Sequence, residues 1–475
     1  MHELVALPAI YRKTAALAIG TLLALGTARL AHAQEGVPQP PPLGAYFWVG
    51  PPDGSGNGDA GDWNNWNGRY VIHAGSPPTI EHLPPQDGDA LIIDHGFNHE
   101  NLPHTISLGD LNLPSSGIQF SYYATFTGGS LNVNSVGIRS MNNIVGATFP
   151  VTFVGTSFDV NGLTANTDND TMTFSAVDIT AGEMQLGGSY SLDPVNFPPP
   201  GGTPIINLEG ATVNASTITI ANNSTPGSGR FVTNVTDSQI QSLGMEIGFG
   251  GNTLNDAAEV NLNHSEATID QYLLIGSQGG GRLRLNDQST VTLSGANSYV
   301  NVGQQGEGDL LVTQMSTLTS NLLNIGVAER GTMTVDQGGR VFSQSGVLGV
   351  LAGMEGNVTL SDDALWQTND LTVGENGTGY VYIYDQATLH IDGQGILGNA
   401  PGSRGVLNLI GPDTKLELGP SGTLTIGEEG DGELNLSQGA TFTSRGDVNL
   451  GAIEGSSGMV TVDGQDGPST WTVSG

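Results

Sequence analysis

The chain has 475 residues, with 71 glycines, 24 prolines, no cysteine and only 12% charged residues. Lys plus Arg total 13 against 46 Asp plus Glu, a formal net charge of −33, which argues against a phosphate-binding surface of clustered cations and disfavours an anionic lipid surface. Lysine occurs only at Lys13 and Lys415, so the Lys/Glu/Ala runs that cover long helices are missing, and the polar surface falls to Asn, Gln, Ser, Thr, Asp and Gly, the residues of strands joined by turns.

In chain order, residues 1–33 read as a secretory signal peptide. Arg12 and Lys13 supply the positive start, Ala15 to Leu25 is an apolar run too short for a stable membrane anchor, and Ala31-His32-Ala33 is a small-residue cleavage site. Export with no cysteine fits a chain that crosses a second membrane unfolded, where disulfides would obstruct it. Residues 34–104 divide into a Pro-rich leader (Pro38, Pro40, Pro41, Pro42) and a segment with Trp48, Trp63 and Trp66, expected to be an N-terminal cap. Residues 105–245 carry irregular strand patterns, interrupted by a Pro-rich run from Pro198 to Pro204 that reads as an extruded loop.

Residues 246–475 repeat. An apolar residue followed by glycine recurs at Gly276, Gly303, Gly326, Gly349, Gly374, Gly398, Gly427 and Gly451, at intervals of 23 to 29 residues with a mean of 25. Ile247-Gly248 is an earlier, weaker member. Each glycine is followed by a strand with apolar residues two apart, such as Leu283/Leu285, Val358/Leu360 and Leu434/Leu436. A second strand often follows (Val291/Leu293, Leu389/Ile391), and a third runs into the next glycine (Leu323/Ile325, Leu424/Ile426). Alternation of period two means one face in and one out. The predicted fold is therefore all-β, a single-stranded parallel β-helix (solenoid) of about 25 residues per coil, with alternate apolar residues filling the interior. Residue 105 onward accommodates roughly 15 coils, a rod on the order of 70 Å long at about 4.8 Å per coil. One coil cannot bury enough apolar surface to fold alone, so stacking supplies the stability.

The repeat resembles that of type V secretion (autotransporter) passengers and PEP-CTERM-associated exported proteins, roughly V-G-x-x-G-x-G-x-L-x-V followed by a turn and S-T-W-x-x-S-G. It stands here as Val373-Gly374-Glu375-Asn376-Gly377-Thr378-Gly379-Tyr380-Val381-Tyr382-Ile383 and as Ile426-Gly427-Glu428-Glu429-Gly430-Asp431-Gly432-Glu433-Leu434-Asn435-Leu436. The Trp half appears as Ser469-Thr470-Trp471-Thr472-Val473-Ser474-Gly475 and more loosely at Leu365-Trp366. The likeness is good over 270–475, looser over 46–94 and weak between. It implies display at the cell surface, at the outer membrane or outside a Gram-negative cell. The pattern would continue past Gly475, which leads to the expectation of a chain truncated at its C-terminus.

Four constellations are candidates for chemistry. Asp94, His95, His99, Glu100 and His104 cluster near the cap, without the H-E-x-x-H spacing of a zinc helix and with Pro103 interrupting them. The turns Gly306-Glu307-Gly308-Asp309 and Gly430-Asp431-Gly432-Glu433 resemble the calcium-binding nonapeptide of β-rolls, but at a period of 25 they read first as glycines at positive φ, with calcium as the alternative. Asp336, Asp362, Asp385 and Asp463 follow strand ends; acid–base catalysis needs carboxylates paired in a cleft, and single acids at a repeat position read as turn formers. Tyr380, Tyr382 and Tyr384 alternate with inward Val381 and Ile383, so a row on the outer face is expected, either as a speculative binding surface for sugar rings or a partner, or as simple strand formers. The expectation is a secreted or surface-displayed, structural or adhesin-like protein with no catalytic residues, no metal and no cofactor, its partner a glycan, a matrix or another extracellular surface. It neither binds nucleic acid nor inserts this portion in a membrane. The alternative is a carbohydrate-active β-helix enzyme of the polysaccharide lyase or glycoside hydrolase kind.

Overall fold

The computed structural model describes residues 45–48, 58–59, 66–71, 79–81, 90–94, 104–108, 110–121, 124–140, 151–167, 171–188, 203–222, 230–249, 257–465 and 467–473. The signal peptide, the Pro-rich leader, His95, His99 and the Pro198–Pro200 run lie outside them.

The described chain is a parallel β-solenoid. One 16-stranded sheet receives a short strand from every coil, including His104–Ser107, Ala124–Thr127, Val151–Val154, Phe231–Thr236, Gly308–Val312 and Ser457–Val462. From Val151–Val154 to Ser457–Val462 the chain makes about 12 turns of about 26 residues each. The second sheet receives the rest of each coil. Up to Phe249 this is one bent 11-residue strand, as in Ser157–Thr167, Asp178–Gly188, Thr212–Asn222 and Gln239–Phe249. Later coils either keep one strand of 9 or 10 residues, as in Glu266–Ile275, Thr317–Ile325, Arg340–Leu348 and Leu365–Val373, or divide it in two, as in Thr290–Leu293 with Tyr299–Val302, and Thr388–Ile391 with Gln394–Leu397. The three short strands expected per coil thus hold for part of the regular half, and in the other coils two of them merge. Before the first coil, Ala45–Trp48 pairs antiparallel with Trp66–Val71, which pairs antiparallel with Thr79–Glu81, and Ala90–Asp94 runs parallel to the strand Leu111–Ser121.

Alternation decides what is inside. Phe231–Thr236 and Thr378–Ile383 bury every second residue. In-register stacking places like on like. Phe126, Phe153 and Phe174 are successive register partners whose rings stack at 4.8 and 5.3 Å, with Phe120 and Phe158 edge-on from the opposite sheet. Beyond them the interior is largely aliphatic, with Phe231, Trp366 and Phe442 as buried aromatic residues. The Trp366 indole Nε1–H donates to Ser343 Oγ at 3.1 Å, and Gly346 leaves it room, since a Cβ there would meet the Trp366 ring.

The repeat glycines share one physical reason, a positive φ, and all but Gly451 have a second, the closeness of other backbone. Gly276, Gly303, Gly326, Gly349, Gly374, Gly398, Gly427 and Gly451 have φ between 62° and 80°. A Cβ on Gly303 would in addition sit 2.6 Å from the Glu329 carbonyl oxygen and 2.7 Å from that of Arg330, backbone of the next coil. Gly248, with φ 85°, belongs to the same series. The glycines Gly306, Gly308, Gly430 and Gly432 correct the sequence reading: none is among the residues of positive φ. They are glycine because backbone of their own or the preceding coil passes too close for a Cβ; one on Gly430 would lie 2.6 Å from the carbonyl oxygens of Ala400 and Ser403.

Non-glycine residues share the other corner with glycines such as Gly155 and Gly210. Where the short strand hands over to the second sheet, the backbone is left-handed at Asp237, His264, Asp287-Gln288, Gln314-Met315, Asp362-Asp363 and Asp385-Gln386. The paired cases are two-residue turns closed by bonds such as Ser289 N–H to Asn286 O (3.1 Å) and Ala387 N–H to Tyr384 O (3.0 Å). Beneath this corner runs a buried serine ladder. The amides of Ser238, Ser265 and Ser289 donate to the hydroxyls of Ser265, Ser289 and Ser316 at 3.1 to 3.2 Å, each one coil on.

Candidate functional site

The outward residues of the second sheet form a continuous row, one per coil. Thr180, Asn214, Gln241, Thr268, Thr292, Thr319, Phe342, Gln367, His390, Glu417 and Thr443 are successive register partners. Residues 23 to 34 apart in sequence are therefore neighbours about 4.8 Å apart along the axis. Two parts of this row concentrate polar chemistry.

The first is an open groove of about 530 Å³ over the coils from Thr180 to Ser294. The strands bend at Gly182, Ser216 and Leu243, which the pairing between coils skips. Thr180, Asn214, Gln241 and Thr268 line the groove before the bend, and Ser216, Leu243 and Asp270 line it at the corner. Leu243 is 46% exposed there.

The second is an imidazole between two carboxylates. His390 Nε2 lies 2.9 Å from Asp392 Oδ1, and Nδ1 lies 3.3 Å from Glu417 Oε2 on the next coil. Gln367 Nε2, one coil before, donates to Asp392 Oδ2 at 2.9 Å. This bond, together with the His390 contact, holds the Asp392 carboxyl below the usual carboxylate range against the opposing effect of burial. The network joins three coils. Both ring nitrogens face carboxylates of the same cluster, an arrangement that clamps coils and leaves the imidazole engaged on both sides.

Tyr380, Tyr382 and Tyr384 stand in the expected outer row, half-buried. Their rings stack on one another, 6.2 Å apart with interplanar angles of 15° and 4°. The faces of the middle ring are therefore turned toward its two neighbours along the strand. Burial, and secondarily Tyr382, pushes the Tyr384 hydroxyl above its ordinary pKa.

The acidic candidates are placed in turns and in contacts between coils. Asp309 accepts from Thr332 Oγ1 at 2.8 Å and lies 3.5 Å from the Arg282 guanidinium, and Glu433 accepts from Arg404 at 3.0 Å. Asp362 and Asp385 occupy left-handed turn positions, and Asp463 Oδ1 caps its own turn through Gln465 N–H at 2.9 Å. Asp336 Oδ1 is buried with no hydrogen-bond partner. Of the histidine cluster only the backbones of Asp94 and His104 are described, in the strands Ala90–Asp94 and His104–Ser107. Among the described residues no group of three or more His, Cys, Asp or Glu side chains is disposed to hold a metal ion.

Sequence reading missed the groove residues and the His390 cluster. The only signal that would have found them is the repeat itself: laid out at 23 to 29 residues per line, the second outward position of each coil is polar almost throughout. No family model, no curated protein and no solved structure matches the chain.

Proposed function

We propose that the protein is an exported, surface-displayed structural solenoid with an adhesin-like role, a stiff rod that presents long polar faces to an extracellular surface. The observation that supports this reading is the assignment of its polar side chains to contacts between coils. Asn234 and Asn261 each donate to the asparagine one coil earlier at 3.0 and 3.1 Å, and Asn324 and Asn435 do the same at 2.7 and 3.0 Å. Arginines, scarce in this chain, are spent likewise: Glu259, 8% exposed in its side chain, lies 2.9 Å from Arg230 and 3.5 Å from Arg284 on the flanking coils. Ladders of this kind resist sliding and bending between coils, which is what a spacer requires. The signal peptide and the passenger-like repeat support display outside the cell.

The test is retention. Cells displaying the chain are held under flow on glycan- or matrix-coated surfaces, and loss of the chain is expected to release them. Equal retention with and without it would refute the role. A second reading, a carbohydrate-active enzyme, draws support from His390 between Asp392 and Glu417. It requires release of reducing ends or unsaturated sugars from a polysaccharide, abolished in Glu417→Gln.

A further inference from the structure

The groove between Thr180 and Ser294 has a chemistry more specific than that of a spacer surface. Its polar lining repeats with the coils: hydroxyl, amide, amide, hydroxyl at Thr180, Asn214, Gln241 and Thr268, each the register partner of the one before. Five strands contribute, so the groove runs four steps of about 4.8 Å, on the order of 19 Å along the axis. That step is close to the advance of one ring in an extended β-linked hexose chain. Leu243, 46% exposed at the centre, offers an apolar contact for the C–H face of a ring. Asp270 is the one ionisable side chain in the lining, and no basic residue joins it. With a net charge of −33 over the chain, a polyanion is repelled. An extended peptide fits less well. It binds sheets by pairing its backbone with a free edge, whereas the backbones beneath this groove already pair with the coils on either side.

We propose that this groove binds an extended, neutral, β-linked polysaccharide, with successive rings placed on successive coils. The inference rests on the adhesin reading for its role, and the test separates the two. Intact chain is titrated calorimetrically with hexamers of β-1,4-linked glucose, mannose and xylose, with the corresponding dimers, and with a galacturonate hexamer as the anionic counterpart. At least one neutral hexamer is expected to bind about 10-fold or more tighter than its dimer, with no binding of the anionic one. Asn214→Ala combined with Gln241→Ala removes two ligand hydrogen bonds and is expected to weaken binding by about 10-fold or more. Leu243→Asp weakens it as well, and Leu351→Ala, at an exposed apolar residue outside the groove, leaves it unchanged. Denaturation midpoints of the variants establish that they are folded. Failure of every neutral hexamer to bind at concentrations on the order of 1 mM, or equal binding by wild type and the double variant, overturns the proposal. If no sugar binds while displayed chains still hold cells to a surface, the groove proposal falls and the adhesin reading stands. If bound hexamers are shortened, the groove stands as a sugar site and the non-catalytic reading falls.

Discussion

Replacing Thr233 by valine is expected to stabilise the protein. Thr233 occupies an inward row whose other members are all apolar: Met172, Ile206, Val260, Leu283, Leu310 and Met333 on the neighbouring coils. It is 1% exposed, and its Oγ1 has no hydrogen-bond partner. Beside it lies a void of about 10 Å³ walled by Met184, Leu208, Val235, Ile240, Met245 and other aliphatic side chains. A space of that size is at the lower limit for one water, and such a water would find one polar neighbour where two to four are needed. The hydroxyl therefore carries its desolvation cost without compensation. Valine matches threonine in shape and substitutes a methyl for the hydroxyl, so the gain is about 1–3 kcal/mol. The assay is urea denaturation at constant m-value, with hydrogen exchange reporting the coils around 205–263, because a solenoid spreads local stability mainly to its neighbours. The reciprocal change, Val260→Thr, places the same hydroxyl one coil on and is expected to cost about 1–3 kcal/mol. A Thr233→Val protein with an unchanged or lower midpoint would refute the reasoning.

Three further outcomes follow from the same geometry. Gly303 and Gly353 share a φ near +80°, but only Gly303 has backbone within 3 Å of a Cβ. Gly353→Ala is thus expected to cost about 1–2 kcal/mol from backbone conformation alone, and Gly303→Ala a further 1–3 kcal/mol or so from crowding; equal midpoints in denaturation would contradict the distinction. Asp392 has a folded pKa depressed by Gln367 and His390, so its contribution to stability is present above the unfolded carboxylate pKa and is lost as pH falls through the folded value. Gln367→Leu should move the Asp392 titration, followed by carboxyl NMR shifts, upward. His264 titrates above the ordinary histidine value because Asp237 accepts its hydrogen bond at 2.7 Å; its contribution is present below the unfolded pKa and fades as pH rises through the folded one. Asp237→Asn should return the His264 ring-proton titration toward the ordinary value, and an unmoved curve would remove Asp237 as the cause.

The architecture was legible because both of its determinants are local and repetitive. Alternation at Leu283/Leu285 or Val358/Leu360 reports which side is inward, and the glycine before each strand marks a backbone geometry that recurs once per coil. The opposite corner was legible only in part, at acids such as Asp362 and Asp385 that read as turn formers. Beside glycines such as Gly155 and Gly210, its left-handed residues include Gln, His and even Met315, and nothing in Gln314-Met315 advertises a turn that needs two positive φ angles. The serines at 238, 265, 289 and 316 read as ordinary turn residues; only stacking shows each hydroxyl receiving an amide from one coil earlier, that of Ala211 at Ser238 and that of the preceding serine at the other three. The groove is further still from the sequence, because its lining is assembled from residues on five coils and its shape from a bend at Gly182, Ser216 and Leu243.

Coil-to-coil register therefore has a functional consequence beyond stability. In a solenoid the neighbours of an outward side chain along the axis lie a whole coil away in sequence, so every composite surface depends on which residue each coil brings to a given row. Along the row from Thr180 to Thr443 the same position is a hydroxyl or amide over the groove, an aromatic ring at Phe342, and an imidazole with a carboxylate at His390 and Glu417. A slip of one residue in the pairing of a strand would turn its part of this row inward and bury its polar groups. The lengths between register-equivalent positions vary, as with 21 residues between Phe153 and Phe174 against 34 between Phe174 and Leu208, yet the inward positions stay apolar on both sides of the longest insertion. The connecting segments thus absorb the variation while the strands keep their phase, and the row survives as one surface on which a groove and a clamp occupy separate stretches.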